Sequence, residues 1–195
     1  MVEYTYMISI SGQPPKNISK QYFRTSLRKT LREALEILNW ESRDINVKIN
    51  VMINTKITLG SGRARHGRTA RKIILHPHPD RPFPWNTVRH ELLHILLKKR
   101  IKLSFPPTAH PILMGLNYAQ QSTRDNVEEY IVRILNSFFL RTKNGCDWYE
   151  AQLLHEKHSG FRRIRTVARQ LEGWQLSKKP FSAEIFQHVA KILIC

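Results

Sequence analysis

The chain has 195 residues, with 32 Lys+Arg against 15 Asp+Glu and a net charge of +17. Hydrophobic residues at 41% and charged residues at 24% describe a globular chain rather than a disordered one, and no apolar run approaches the ~20 residues that a membrane span needs. Two cysteines, Cys146 and Cys195, exclude a disulfide framework, and residues 1–10 lack a basic segment leading into an apolar one, so a soluble, cytoplasmic setting is expected.

Residues 4–10 suit a short strand, ended by the turn-forming run Gly12, Gln13, Pro14, Pro15. Ser19 is placed to cap a helix reaching about residue 39. Its Phe23, Leu27, Leu31, Ala34, Leu35 and Leu38 share one face, with Arg24, Arg28, Lys29 and Arg32 as a basic stripe beside it. Apolar and polar residues alternate from Ile45 to Val51, which predicts a strand over 45–53 with one wet face. Residues 58–69, rich in Gly60, Gly62, Arg63, Arg65, Gly67 and Arg68, predict a mobile basic loop. A second strand is expected over 72–76, after which Pro77, Pro79, Pro82 and Pro84 interrupt regular structure. Asn86 or Thr87 is placed to cap a helix running through Arg100. Residues 101–122 form a proline-containing connection to a helix from Val127 to about Arg141, capped by Asp125 or Asn126. Residues 142–195 read as basic and mainly helical.

The chemistry concentrates in His90, Glu91, Leu92, Leu93 and His94. On a helix, residues four apart sit one turn apart on one face, so His90 and His94 can share one metal ion. Glu91 lies where it can act as general base toward a metal-bound water, the H-E-x-x-H arrangement of zinc peptidases. Two histidines and a glutamate among leucines would otherwise need polar partners of their own.

A catalytic zinc takes three protein ligands and an open position. The third ligand can come from Glu128 or Glu129 on the next predicted helix, or from His110 in the connection. At about 100° per residue from Val127, Glu128 falls near 100°, beside Leu135 at about 80°, whereas Glu129 falls near 200°, on the side of Arg133 and Asn136. A carboxylate at the edge of an apolar face is costly unless paired or metal-bound, which favours Glu128 over His110 and Glu129. The expected metal set is therefore His90, His94 and Glu128 around one zinc ion per chain, with Glu91 as the catalytic base.

The motif followed by Glu128, Glu129, Tyr130, Ile131, Val132 and Arg133 resembles minimal gluzincin-type peptidases of phage and mobile elements. Residues 19–141, with the helix, strand, Gly/Arg-rich segment, second strand and motif helix in that order, also resemble the SprT-like metalloprotease domain. The resemblance implies an α+β fold: a zincin-like core over residues 1–141, its small β-sheet packed on the motif helix and the following ligand-bearing helix, and a basic helical extension over 142–195. It implies peptide-bond hydrolysis of a protein or peptide substrate, bound as an added strand along residues 72–76. SprT-like proteins take a third His about fifteen residues after the motif, where His110 sits, but the Gly and Phe that usually follow it are replaced here by Pro111, Ile112 and Leu113. Candidates to stabilise the oxyanion are His76, His78, His110, Tyr118 and Tyr130.

His76 with His78, and His155 with His158, are weaker metal-ligand pairs, and Trp40, Trp85, Trp148 and Trp174 read as core anchors. Basic clusters at 63–72, 98–102 and 157–169 suggest sequence-independent contact with nucleic acid. The alternative to an enzyme is a basic nucleic-acid-binding protein with a structural His-Glu-His site.

Overall fold

The computed structural model describes residues 7–11, 18–40, 48–53, 61–66, 71–76, 82–102 and 123–194. Four strands, β1 (Met7–Ser11), β2 (Lys48–Ile53), β3 (Ser61–His66) and β4 (Arg71–His76), accompany six helices: α1 (Lys20–Ile37), α2 (Trp85–Arg100), α3 (Thr123–Asn144), α4 (Cys146–His158), α5 (Ile164–Leu176) and α6 (Ala183–Ile194). They fall into two compact units, one of residues 1–36 and 40–96, the other of residues 37–39 and 97–195.

In the first unit, α1 starts at its cap: the Tyr22 amide donates to Ser19 Oγ at 3.1 Å. Its apolar stripe is sealed, with Phe23, Leu27 and Ala34 wholly buried. The helix stops because Asn39 takes a left-handed φ of 50°, which lets the Trp40 amide donate back to the Leu35 carbonyl at 3.0 Å. The sheet has the order β1-β2-β4-β3, parallel from β1 through β4 and antiparallel at β3. Val51 pairs with Ile73 across β2 and β4, and Val51, Ile73 and Leu75 are wholly buried while Ile74 is half-exposed, so one face is dry. The expected mobile loop contains β3, whose Gly62 and Ala64 lie in register with Leu75 and Ile73. Consequently β4 has a neighbour on each side, and the expectation that it accepts a substrate strand is corrected: its backbone groups are already paired.

The second unit is helical. α3 packs against α4, α5 and α6, and Val127, Ile131, Ile134 and Leu135 are wholly buried in it. One residue, Gly145 at φ 87°, joins α3 to α4; this left-handed turn is open to glycine without Cβ strain. Phe138 and Tyr149 then meet across the joint with ring centroids 5.7 Å apart. The unit includes α3 as well as the stretch 142–195, so the position after residue 141 lies within a helix and not between the compact units.

The expected α+β core is thus corrected to a mostly helical chain. Among the described residues, helices of 12 to 22 residues carry most of the buried apolar side chains, whereas no strand exceeds six residues. The small sheet is a minor part of the architecture. No helix among the described residues is long and apolar enough to cross a membrane.

Two buried tyrosines give the helical unit a pH signature. Burial, the largest cause in each case, raises the phenols of Tyr130 and Tyr149 above the ordinary range. Glu172 adds to the effect at Tyr149, and a backbone hydrogen bond at Arg163 opposes it at Tyr130. A folded-state value above the unfolded one of about 10 means stability that is full below that pH and lost as pH rises through it. Alkaline titration followed by phenolate absorbance is expected to show these two tyrosines ionising together with the loss of helical circular dichroism. Ionisation of every tyrosine near pH 10 (about the free-phenol value) with helices intact would contradict it.

Candidate metal centre

α2 begins at Trp85, directly after Pro84, so that both expected caps, Asn86 and Thr87, lie inside the helix; the Val88 amide donates to the Pro84 carbonyl at 3.1 Å. Asn86 does not cap the helix but accepts a hydrogen bond at 2.9 Å from Arg89, whose other terminal nitrogen donates to Glu33 of α1 at 3.0 Å. Arg89 is 2% exposed. Burial pulls its guanidinium below the ordinary value, and the Glu33 hydrogen bond and charge oppose the fall. Phe23, Phe83 and Trp85 stack nearby at 4.6 to 5.4 Å. Together these contacts fix the rotation of α2 about its axis one residue ahead of His90.

With the rotation fixed, Val88, Leu92, Leu93, Ile95 and Leu96 go inside, and His90 and His94 take half-buried positions on one face. Their Nε2 atoms lie 3.2 Å apart. Two imidazole nitrogens so placed need a shared proton or a shared cation between them. Two nitrogens bound tetrahedrally to zinc at their usual bond length would lie about 3.3 Å apart, so the pair fits the metal without rearrangement. Glu91, between them in sequence, is 7% exposed. A nitrogen of each histidine and a carboxylate oxygen of Glu129 all lie within 4.8 Å of one another, and this group could hold a metal ion.

The group takes Glu129 where the helical wheel favours Glu128. Glu128 is wholly buried, as the wheel requires, but its carboxylate faces cations: Lys98 Nζ at 3.8 Å and Arg124 Nε at 3.9 Å. Lys98 also pairs with Asp125 at 2.9 Å. The supposed wet side of α3 is covered too. Glu129, 7% exposed, accepts from Arg133 Nε at 2.7 Å, and Arg133 also donates to Glu156 of α4, which accepts from Gln152 at 2.7 Å. The Arg133 guanidinium lies 4.4 Å from the Phe161 ring centroid. The i, i+4 spacings of Glu129 with Arg133 and of Gln152 with Glu156 are sequence signals for the two halves of this network; the Arg133–Glu156 link between the helices carries none.

Tyr130 is 1% exposed and packs edge-on to Phe161 at 5.0 Å, which makes it a core residue and not an oxyanion donor. His155 and His158 are exposed on α4 and belong to no group of three potential ligands among the described residues. Trp40 and Trp174 are buried anchors, the latter donating to the Lys179 carbonyl at 2.9 Å. His78, His110 and Tyr118 lie outside the described residues, and His76 pairs through its backbone with β3. Compared with protein-family models, curated proteins and solved structures, the chain matches none.

Proposed function

We propose that the chain is a zinc-dependent hydrolase of peptide bonds, with His90, His94 and Glu129 holding the metal and Glu91 as general base. The observation that carries the reading is the 3.2 Å approach of the two Nε2 atoms on one helix, with a buried glutamate next in sequence to the first. Zinc, when bound, supplies Lewis-acid polarisation of a carbonyl and acidifies water. His90 and His94 would ligate the metal through their imidazole nitrogens. Glu91 takes the proton of the attacking water and passes it to the leaving amine. Arg133 holds Glu129 in place against α4, so that its carboxylate is ordered before a metal arrives. The outer edge of β3 pairs with no other described strand and offers the place for an extended peptide to add by main-chain hydrogen bonds.

Metal analysis of the protein after zinc reconstitution tests the reading. One zinc per chain is expected, lost in His90→Ala and His94→Ala. Glu129→Gln is expected to weaken zinc by more than the roughly 10–100-fold that loss of an outer-shell partner costs, while Glu128→Gln leaves affinity nearly unchanged. Absence of bound zinc in the unaltered protein overturns the reading, and a larger effect of Glu128→Gln than of Glu129→Gln overturns the choice of third ligand.

A further inference from the structure

The outer face of α1 is a row of cations that the metal centre does not use. Lys20, Arg24, Arg28 and Arg32 recur every four residues, and all four are exposed, as is Lys29 beside them. At 1.5 Å rise per residue the row advances about 6 Å per cation and spans about 18 Å. The uncharged residues exposed between them are Gln21, Tyr22 and Thr25, each with a hydrogen-bonding group. The helix has no acidic residue in its first turn. Its two carboxylates come late: Glu33 is committed to Arg89 at 3.0 Å, and Glu36 follows the last cation. Among the described residues no carboxylate pairs with any of the five cations.

An ordinary solvated helix face interleaves both signs, because i, i+4 pairs of opposite charge stabilise it and like pairs oppose it. Here three successive i, i+4 steps set cation against cation, an arrangement disfavoured in isolation and relieved by a polyanion. The opposite face of α1 is consumed by the core through Phe23, Leu27 and Leu31. Tyr22 is the one large apolar side chain exposed on the helix, and a single ring does not make the broad apolar face that membrane-surface helices pair with their cations. A linear, evenly spaced row of this kind suits the regularly repeated charges of a phosphodiester chain.

We propose that α1 is a nucleic-acid docking surface, in which Lys20, Arg24, Arg28 and Arg32 bind the phosphodiester backbone without reading base sequence. Contact is purely electrostatic in origin, so affinity falls with salt and is indifferent to sequence. Four phosphate contacts give a slope of log affinity against log salt of about −3.6 on duplex DNA.

Fluorescence anisotropy of the full-length protein with a labelled DNA duplex, over a series of salt concentrations, tests this. Arg24→Gln/Arg28→Gln is expected to reduce the slope by about 2 and to weaken binding at least tenfold at low salt. Both side chains are exposed, and circular dichroism verifies that the variant is folded. A charge-matched control, Arg162→Gln/Arg169→Gln on the exposed face of α5 and the turn before it, is expected to leave slope and affinity near those of the unaltered protein. A duplex of scrambled sequence is expected to bind equally. Equal losses in the two double variants would show diffuse attraction by the net charge and overturn the assignment to α1. Failure of the unaltered protein to bind duplex, or tighter binding to phosphatidylserine vesicles than to duplex at equal salt, overturns it as well.

Discussion

Glu91→Gln is expected to lower peptide hydrolysis by about 10²–10⁴-fold while zinc stays bound. Glutamine has the volume and length of glutamate, so the buried position 91 remains filled, and the His90 and His94 nitrogens keep their spacing. What disappears is the acceptor for the proton of the attacking water. Proteolysis of an unfolded protein such as casein, measured beside zinc content, separates the roles. Full activity in Glu91→Gln removes this residue from catalysis. Loss of zinc together with activity makes it a structural support of the histidines.

Arg133→Leu is expected to destabilise the protein by about 3–5 kcal/mol. The substitution leaves the carboxylates of Glu129 and Glu156, 7% and 6% exposed, without the guanidinium that lies between them. It also removes the cation from the face of Phe161. Urea unfolding in the presence of a chelator, which sets any metal contribution aside, is expected to show a lower midpoint at unchanged slope. Adding Glu156→Gln to Arg133→Leu is expected to recover a large part of the loss, because one of the two stranded charges is gone; a double-mutant cycle measures that coupling. A midpoint that does not move would mean that the network contributes no net stability.

The elements most legible from residue pattern are those where a single face is buried. α1 announces itself because Phe23, Leu27, Leu31 and Leu38 keep helical spacing and Ser19 marks its start, and structure and pattern agree to within two residues at either end. β2 and β4 are visible as short apolar runs. β3 is not, since Ser61, Gly62, Arg63, Ala64, Arg65 and His66 lack the β-branched and aromatic residues that mark strands; its pairing is imposed by the neighbouring β4. The histidine pair and Glu91 are legible because their spacing is itself the chemistry. The third carboxylate is harder. A helical wheel supposes one dry side and one wet side, whereas α3 is enclosed by α4, α5 and α6, so Glu128 and Glu129 are both buried and differ only in their partners. Each glutamate has an arginine four residues away on α3, Arg124 for one and Arg133 for the other; what tells them apart, Lys98 beside Glu128 and Glu156 beside Arg133, lies on other elements whose juxtaposition no local periodicity encodes.

The one-residue joint at Gly145 makes chain length, as well as the glycine itself, a sensitive variable at that corner. Phe138 meets Tyr149 and Arg133 meets Glu156, pairs placed almost symmetrically about the joint, as in a helical hairpin folded at its midpoint. A side chain at position 145 meets no neighbouring atom within 4 Å, but φ 87° with ψ 174° lies in a region open essentially to glycine alone, so a substitution there costs about 1–3 kcal/mol in the backbone. Insertion or deletion of one residue instead turns α4 by about 100° relative to α3. That single step carries Glu156 away from Arg133 and Tyr149 away from Phe138 together. Relatives of this chain would thus vary freely in length in their loops, yet hold this corner to a fixed count.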